Sequence, residues 1–258
     1  MTAPHAALDG AAAPPAPQYV YGITRSGITL PEGLTGLDER PVRLIEHGPC
    51  AAVTGDLPQN RPLGERADLI AHERVLESLV NTGVAVLPFR FGAALAAPAA
   101  VREELLAGNA DRLTEIVDRV DGHVELRLRG SYVQETVLRE VLSAEPQIAD
   151  LNRALRDLPE DATHYERIRL GELIAQALRA RRDQDAQAVM EVLEPAAEAV
   201  VRRPPAREED VLDAAFLVRA DRREAFADLV AGLARDHDGR VRLRLVGPLP
   251  PYDFVPEA

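Results

Sequence analysis

The dipeptide His72-Glu73 is the first place in this sequence where metal chemistry could be expected. It begins like the His-Glu-x-x-His signature, in which two histidines one helical turn apart bind zinc, but the position of the second histidine holds Leu76. The remaining histidines are scattered, and none forms an i, i+4 pair. We therefore predict no metal site and expect His72 to be a hydrogen-bonded residue of a helix.

Nucleophiles and phosphate-binding loops give no stronger signal. Cys50 is the single cysteine and lies in an apolar run, which is typical of a core residue. The chain has no Gly-x-Ser-x-Gly elbow, Gly-x-Gly-x-x-Gly loop or P-loop, and all 30 basic residues are Arg, which excludes a Schiff-base lysine. Most carboxylates fit solvated helix faces. We predict no catalytic residue, no cofactor and no enzymatic activity.

Two pairs of arginines are candidates for binding a partner. Arg127 and Arg129 are predicted to face Arg242 and Arg244 across neighbouring strands, where like charges destabilise a sheet unless something offsets them. The offset could be internal, through carboxylates such as Glu125, or it could be an acidic partner or nucleic acid. Neither strand carries the aromatic residues on which RNA-binding sheets stack bases, which favours an internal or protein partner.

A second candidate is Arg90, which stands between Phe89 and Phe91 at the exit of a predicted strand. As a structural residue, this arginine would cap carbonyl groups or pair with a carboxylate. As a binding residue, it would mark a pocket. The structural role is favoured.

The third candidate is the C-terminal tail, where three prolines lie within four positions of Pro248–Pro251 and two aromatic residues follow. Proline excludes helix and removes backbone donors, so this tail is predicted to be extended and stiff. Pro250, Tyr252 and Phe254 are then expected either to plug a groove of this protein or to bind another chain. The internal plug is favoured.

Composition limits the class of partner. The net charge is −12, which argues against sequence-independent binding to nucleic acid or to anionic membranes, and no run reaches the length of a membrane span. The lone cysteine fits a reducing compartment. We expect a cytoplasmic protein with a disordered leader at residues 1–17 and a protein or small molecule as its partner.

The first half of the chain alternates strand and helix signals. Residues 19–23 predict a strand, and 42–46 with 51–54 predict a hairpin. A helix is predicted over 64–81, with a strand at 84–87 and a broken helix over 101–120 after it. The expected buried stripe of the 64–81 helix is Leu69, His72, Leu76, Leu79 and Val80. This pattern predicts an α+β domain over 18–121.

The second half opens and closes with similar segments, 122–130 and 238–247, each with a turn, an alternating strand and a final glycine. Between them the pattern predicts helices over 132–158 and 164–182, with an irregular continuation to 193, and strands at 198–202 and 211–219. A last helix is predicted to be capped by Asp221 and Glu224. Its expected buried face carries Phe226, Leu229 and Val230. Gly171 within the long helix predicts close backbone packing.

This order of elements is that of a ferredoxin-like domain over 122–247 with an inserted helical hairpin, followed by a tail at 248–258. In that topology the first and last strands are neighbours. One face of the sheet carries the helices, and the other face can be open.

Taken together, short motifs spread over residues 19–255 resemble the gas vesicle protein F/L family. The most specific are the Pro-Phe-Arg-Phe-Gly segment at 88–92 and the Gly-Pro tail. The full set is Tyr19-Val-Tyr-Gly22, His72-Glu-Arg-Val75, Leu87-Pro-Phe-Arg-Phe-Gly92, Val124-Glu-Leu-Arg127, Arg169-Leu-Gly-Glu-Leu173, Ala215-Phe-Leu-Val218 and Gly247-Pro-Leu-Pro-Pro-Tyr-Asp-Phe-Val255.

The resemblance implies a modified ferredoxin-like N-terminal domain, a second ferredoxin-related domain and a tail packed between them. It implies a non-enzymatic accessory protein of gas vesicle assembly that binds the small hydrophobic shell protein and helps to nucleate or chaperone vesicle formation. Other gas vesicle accessory proteins are further expected partners. The alternative from another class is a ferredoxin-like regulatory module that binds a small metabolite.

Overall fold

The computed structural model describes residues 16–159 and 163–256, which fall into two compact units, unit 1 up to Arg119 and unit 2 from Val120. The architecture is α+β, with one antiparallel sheet in each unit. The predicted leader at 1–17 lies outside the described residues except for its last two positions. In these, the Ala16 carbonyl accepts a bond from Gln18 and the Pro17 carbonyl accepts one from the backbone of Leu57.

The sheet of unit 1 has the order β2-β3-β1-β4, with β5 also paired to β1. Its strands are β1 (Gln18–Arg25), β2 (Arg43–His47), β3 (Cys50–Asp56), β4 (Leu87–Pro88) and β5 (Ala94–Leu95). Strand β1 is central and buried along its length apart from Arg25. Strand β4 begins only at Leu87, so the strand predicted at 84–87 is shifted toward Pro88.

Helix α1 (Arg66–Asn81) packs against the sheet of unit 1 with Val75, Leu76 and Leu79 fully buried. Leu69 was expected in this stripe, but it is 46% exposed. The inward position one residue earlier is taken by Asp68, which accepts hydrogen bonds from the backbone N–H of Gly64 and Glu65 and pairs with Arg61. These donors hold the pKa of Asp68 at about 2. The capping carboxylate, rather than leucine, sets which face points inward.

The helical segment that follows in unit 1 changes its winding, as the predicted break near Gly108 indicated. It consists of α2 (Pro98–Ala100), a π-helical turn (Val101–Leu106), a 3-10 turn (Ala107–Asn109) and α3 (Ala110–Val120). Cys50 is fully buried, and its Sγ lies 3.2 Å from Thr114 Oγ1 of α3. The prediction that this cysteine belongs to the core is confirmed.

The sheet of unit 2 has the order β7-β8-β6-β9, so the first and last strands of the unit are neighbours, as predicted. Its strands are β6 (His123–Tyr132), β7 (Ala199–Arg203), β8 (Asp210–Arg219) and β9 (Val241–Leu249). Leu128 and Phe216 point from one face into a core with Met190, Leu193 and Phe226 of the helices. The opposite face carries charged side chains.

The described residues of unit 2 also form four α-helices: α4 (Gln134–Ala144), α5 (Pro146–Leu155), α6 (His164–Leu193) and α7 (Arg223–Asp236). Helices α4 and α5 pack against α6, so the helical insertion is larger than a hairpin. Helix α6 continues without irregularity past 182, because no glycine or proline interrupts it before Pro195. Among the described residues, no helix combines the length and apolar composition needed to cross a membrane.

Three local predictions in unit 2 are wrong. Asp221 does not cap α7, since it lies in the 3-10 turn Ala220–Arg222 and pairs with Arg219. Leu229 is 40% exposed, whereas Phe226 and Val230 are buried as expected. At Gly171 an added Cβ would meet no atom within 4 Å, so this glycine is exposed on the helix and serves no close backbone packing.

Candidate functional site

The predicted Phe89-Arg90-Phe91 segment lies beside a buried aromatic cluster in unit 1. Tyr19 and Tyr21 of β1 pack edge-on with ring centroids 4.9 Å apart, and both contact the ring of His72 on α1. Phe91 closes the cluster at 5.8 Å from His72 and 6.0 Å from Tyr19. Tyr19 and Tyr21 stand two positions apart on β1, the spacing that places strand side chains on one face, although a bulge interrupts the register between Val20 and Gly22.

A chain of hydrogen bonds fixes the protonation of His72. The backbone N–H of Gly92 donates to Tyr19 Oη over 3.1 Å, His72 Nδ1 lies 2.9 Å from the same Oη, and His72 Nε2 lies 3.1 Å from the Phe89 carbonyl. A carbonyl only accepts, so Nε2 carries the proton and Tyr19 donates to Nδ1. Burial lowers the pKa of His72 to about 4 and raises that of Tyr19, which keeps both groups neutral.

This cluster is suited to holding the Pro88–Gly92 segment in place rather than to acid–base chemistry. Nδ1, the basic nitrogen of neutral His72, is already occupied by Tyr19. Phe89 contributes through its backbone, because its N–H donates to Tyr21 and its carbonyl accepts from His72. Arg90 is exposed and Phe91 is half-buried. The expectation that His72 is a hydrogen-bonded helix residue is confirmed.

The predicted arginines of unit 2 lie on the face of the sheet opposite the helices. Arg129 and Arg244 are direct cross-strand partners, whereas Arg127 stands opposite Val246 and Arg242 opposite Ser131. Arg127 makes a bidentate ion pair with Asp213 of β8, at 2.8 and 2.7 Å, and Arg129 reaches the same carboxylate at 3.4 Å. These arginines lower the pKa of Asp213, with the hydrogen bond from Arg127 as the main cause.

The internal offset for Arg127 is Asp213, whereas the sequence offered Glu125 as one possible source. Asp213 is the charged member of the otherwise apolar run of β8 from 211 to 218. The antiparallel pairing of β6 with β8 places Asp213 opposite Arg129 and diagonal to Arg127. An internal offset, one of the alternatives that the sequence leaves open, is thus present for these two arginines.

Glu125 instead holds the C-terminal tail. It is only 3% exposed, and its Oε2 accepts the backbone N–H of Asp253 over 3.1 Å. The Asp253 carboxylate lies beside Glu125 and is paired with Arg203 of β7. Burial, reinforced by the neighbouring Asp253 carboxylate, raises the pKa of Glu125 to about 8. We call this arrangement of Glu125, Asp253 and Arg203 the tail clasp.

The predicted tail residues are distributed around the clasp. Strand β9 continues through Pro248 to Leu249, and Pro250 is buried. Residues Tyr252–Phe254 form a 3-10 turn, in which Tyr252 N–H donates to the Pro250 carbonyl, so the expected extended conformation is wrong for this part. Tyr252 and Phe254 are half-buried.

A charged network between α4, α6 and the start of β9 escaped the sequence interpretation. Asp185 accepts hydrogen bonds from Tyr132 Oη and from both terminal nitrogens of Arg240, and Arg240 Nε also donates to Glu140 over 2.9 Å. The Arg240 guanidinium lies 5.8 Å from the Tyr132 ring centroid. Because its members are up to 100 residues apart, no local motif marks it. In the described ranges, no group of three His, Cys, Asp or Glu side chains lies close enough together to hold a metal ion.

Known proteins match this chain over nearly all of its length. A family model described as Gas vesicle synthesis protein GvpL/GvpF matches residues 17–256. Gas vesicle protein F of Streptomyces sp. (strain CB03234) is 36% identical over 242 residues, which cover 92% of this chain and 98% of that protein. Gas vesicle protein L of the same strain is 32% identical over 259 residues, which cover 92% of each.

The fold gives the same result. The crystal structure of the gas vesicle protein GvpF from Anabaena sp. PCC7120 matches with a TM-score of 0.82 at 26% identity, and the match covers 94% of this chain and 99% of that one. Sequence and fold therefore agree over both units. The chain belongs to the gas vesicle synthesis protein GvpL/GvpF family, and its role lies in gas vesicle formation.

Proposed function

We propose that this chain is a non-enzymatic accessory protein that binds the small, apolar gas vesicle shell protein and chaperones or nucleates its polymerisation. The observation that carries the proposal is the match to gas vesicle proteins F and L over more than nine-tenths of the chain. The action would take place in the cytoplasm at the forming vesicle. Other accessory proteins of the same assembly are further proposed partners.

Exposed apolar side chains support a role in shielding an apolar subunit. On α1 of unit 1, Leu69 and Ile70 are 46% and 55% exposed, and on α6 of unit 2, Tyr165 and Ile168 are 82% and 48% exposed. An apolar subunit aggregates unless its surface is covered before it enters the shell. Side chains of this kind can cover such a surface without burying a charge.

The described titratable groups support binding rather than catalysis. The basic nitrogen of His72 accepts from Tyr19, Glu125 faces Asp253, and Cys50 is fully buried against Thr114. Each of these groups already has a structural partner. A candidate general base must reach a substrate proton, and these three face the interior of their units.

The direct test is co-expression of the shell protein with the full-length tagged chain. We expect the shell protein to remain in the supernatant after ultracentrifugation and to co-purify with the tag. A variant with Leu69, Ile70, Tyr165 and Ile168 replaced by Gln should keep its melting temperature, because these side chains are exposed, and should recover less shell protein. The matched control, Arg119→Gln with Arg153→Gln, alters two exposed ion pairs and should behave like the parent chain.

A test in cells examines the function itself. Deleting this gene from a gene cluster that produces gas vesicles should lower the number of vesicles or alter their shape. Normal vesicles in the deletion strain, or shell protein that stays in the pellet with the chain present, would contradict the proposal.

A further inference from the structure

Two cavities adjoin on the surface of unit 2. One, of about 460 Å³, is lined on its apolar side by Val137, Leu138 and Leu178 of helices α4 and α6. The other, of about 880 Å³, opens on the charged face of the sheet. The two share Tyr132, Gln134 and Glu209 as lining residues, so they form one continuous groove, which we call the α4–β9 groove.

The larger cavity is lined by four arginines: Arg129, Arg207, Arg242 and Arg244. Arg129 and Arg244 are direct cross-strand partners, and Arg242 lies two positions along on the same face of β9. The backbone therefore holds three guanidinium groups close together. Like charges on neighbouring strands destabilise a sheet unless an opposite charge lies nearby, and in the described ranges Asp213 pairs with Arg129 but with neither Arg242 nor Arg244.

The carboxylates that line the larger cavity are already engaged. Asp213 holds Arg127 and Arg129, and Asp210 Oδ2 accepts the backbone N–H groups of Ala206 and Arg207. Glu209 pairs with Arg207 over 3.7 Å. Within the described ranges, no carboxylate lies within ion-pairing distance of Arg242 or Arg244, and both arginines are exposed. This positive charge is therefore available to a ligand, in a chain whose net charge is −12.

The smaller cavity has the opposite character. Leu138 is 40% exposed at its mouth, and the aliphatic lining offers a place for an apolar side chain. Glu135, Glu208 and Glu209 outnumber Arg182 in its lining, which disfavours carboxylates at this end. The groove therefore has a basic end, lined by arginines, and an apolar end whose rim is mainly acidic.

We propose that the α4–β9 groove binds an acidic segment of a partner protein, with carboxylates on Arg242 and Arg244 and an adjoining apolar side chain in the cavity of Val137, Leu138 and Leu178. Charge complementarity selects the segment, and the apolar anchor sets its direction. This inference stands independently of shell-protein binding.

Nucleic acid fits the groove less well. The aromatic residue in its lining, Tyr132, is only 7% exposed and donates its hydroxyl to Asp185, so it offers no face on which a base could stack. A purely structural role for Arg242 and Arg244 is the other alternative. Charges on an edge strand such as β9 discourage self-association.

The test measures fluorescence anisotropy of labelled peptides with the full chain at about 50 mM salt, where charge pairing is strong. The probes are hexaglutamate and hexaglutamate extended by two leucines. We expect both to bind and the extended peptide to bind more tightly. Replacing Arg242 and Arg244 by Gln should weaken both probes by at least about tenfold. Leu138→Gln should remove only the gain from the leucines.

The matched control replaces Arg119 and Arg153 by Gln, which removes the same charge at exposed sites outside the groove. Equal weakening in this control would mean unspecific charge attraction and would overturn the proposal. Tighter binding of an octauridylate probe than of either peptide would also overturn it. The proposal would also be overturned if the Arg242/Arg244 variant self-associated and kept its affinity for the peptides. That result would mean that the two arginines prevent pairing of edge strand β9 with another copy.

Discussion

At the scale of single residues, Gly171 and Gly22 occupy opposite environments. Gly171 lies in the middle of the exposed part of α6, where a Cβ would meet nothing within 4 Å. Gly22 of β1 lies against β4, where a Cβ would come within 2.6 Å of the Leu87 carbonyl oxygen and 2.9 Å of Val86 Cγ2. The same substitution should therefore have opposite effects at the two positions.

We predict that Gly171→Ala raises the free energy of unfolding by about 0.5 to 1 kcal/mol, because alanine restricts the unfolded chain and favours helix. Gly22→Ala should lower it by about 1 to 3 kcal/mol, because the backbone of β4 must move. Chemical denaturation followed by circular dichroism measures both changes. A destabilising Gly171→Ala would contradict the open surroundings of this position.

The hydroxyl of Tyr19 offers a second prediction. It accepts from Gly92 N–H and donates to His72 Nδ1 inside the aromatic cluster. Tyr19→Phe leaves both groups without this partner and should cost about 1 to 3 kcal/mol of unfolding free energy. The matched change Tyr165→Phe, at a side chain 82% exposed, should stay within about 0.5 kcal/mol of the parent. Equal effects at the two tyrosines would contradict the hydrogen-bond chain.

At the scale of elements, the tail clasp connects three segments of unit 2. Arg203 ends β7, Glu125 lies near the start of β6, and Asp253 lies in the turn after β9. The Asp253 backbone N–H donates to Glu125, and the Asp253 carboxylate pairs with Arg203. The turn Tyr252–Phe254 is thereby fixed to the sheet by one residue.

Asp253→Ala should therefore release the C-terminal turn while leaving the sheet intact. We expect faster chymotrypsin cleavage after Tyr252 and Phe254 and faster amide exchange in 250–256, because the carboxylate that pairs with Arg203 is lost. The control is Asp150→Ala, which breaks a surface ion pair with Arg153. The side chains of Arg153 and Asp150 are 74% and 72% exposed. Unchanged cleavage in Asp253→Ala would mean that the ion pair with Arg203 does not hold the tail, since the backbone N–H of residue 253 can still donate to Glu125.

The sequence patterns predicted helices and strands better than they predicted contacts between side chains. Alternation in 124–129 and 241–246 identified β6 and β9 as strands, because period-two patterning is a local property, and the order of elements predicted that the two are neighbours. The inward face of α1 was assigned incorrectly at Leu69, since the capping role of Asp68 depends on Arg61. The clasp and the Tyr132–Asp185–Arg240 network depend on side chains brought together by tertiary structure, which one sequence does not reveal. The ferredoxin-like description of each unit and the packing of the tail between domains stay predictions.

At the scale of the whole molecule, the two units carry buried titratable groups with opposite effects on stability. In unit 1, burial lowers the pKa of His72 from 6.5 to about 4. In unit 2, burial raises the pKa of Glu125 from 4.5 to about 8, and Asp253, Arg203 and Arg127 are the charged groups that face it. Stability depends on pH wherever the folded and unfolded states bind different numbers of protons.

For His72, the unfolded state takes up a proton between pH 6.5 and about 4 while the folded state does not. Unit 1 should therefore lose up to about 3 kcal/mol of stability as pH falls through this window. For Glu125, the folded state holds a proton between pH 4.5 and about 8 that the unfolded state has lost. Unit 2 should therefore lose stability as pH rises through that window.

We predict that peptide-level hydrogen exchange of the full chain shows these two opposite pH dependences, one in each unit. His72→Gln is neutral at every pH and should remove the acid-side loss in unit 1. Glu125→Gln imitates the protonated carboxyl, because its amide can donate to the Asp253 carboxylate while its oxygen accepts Asp253 N–H. It should match the parent near pH 4.5 and exceed it in stability above about pH 8. If the difference between each variant and the parent did not change with pH, neither buried group would titrate as the structure requires.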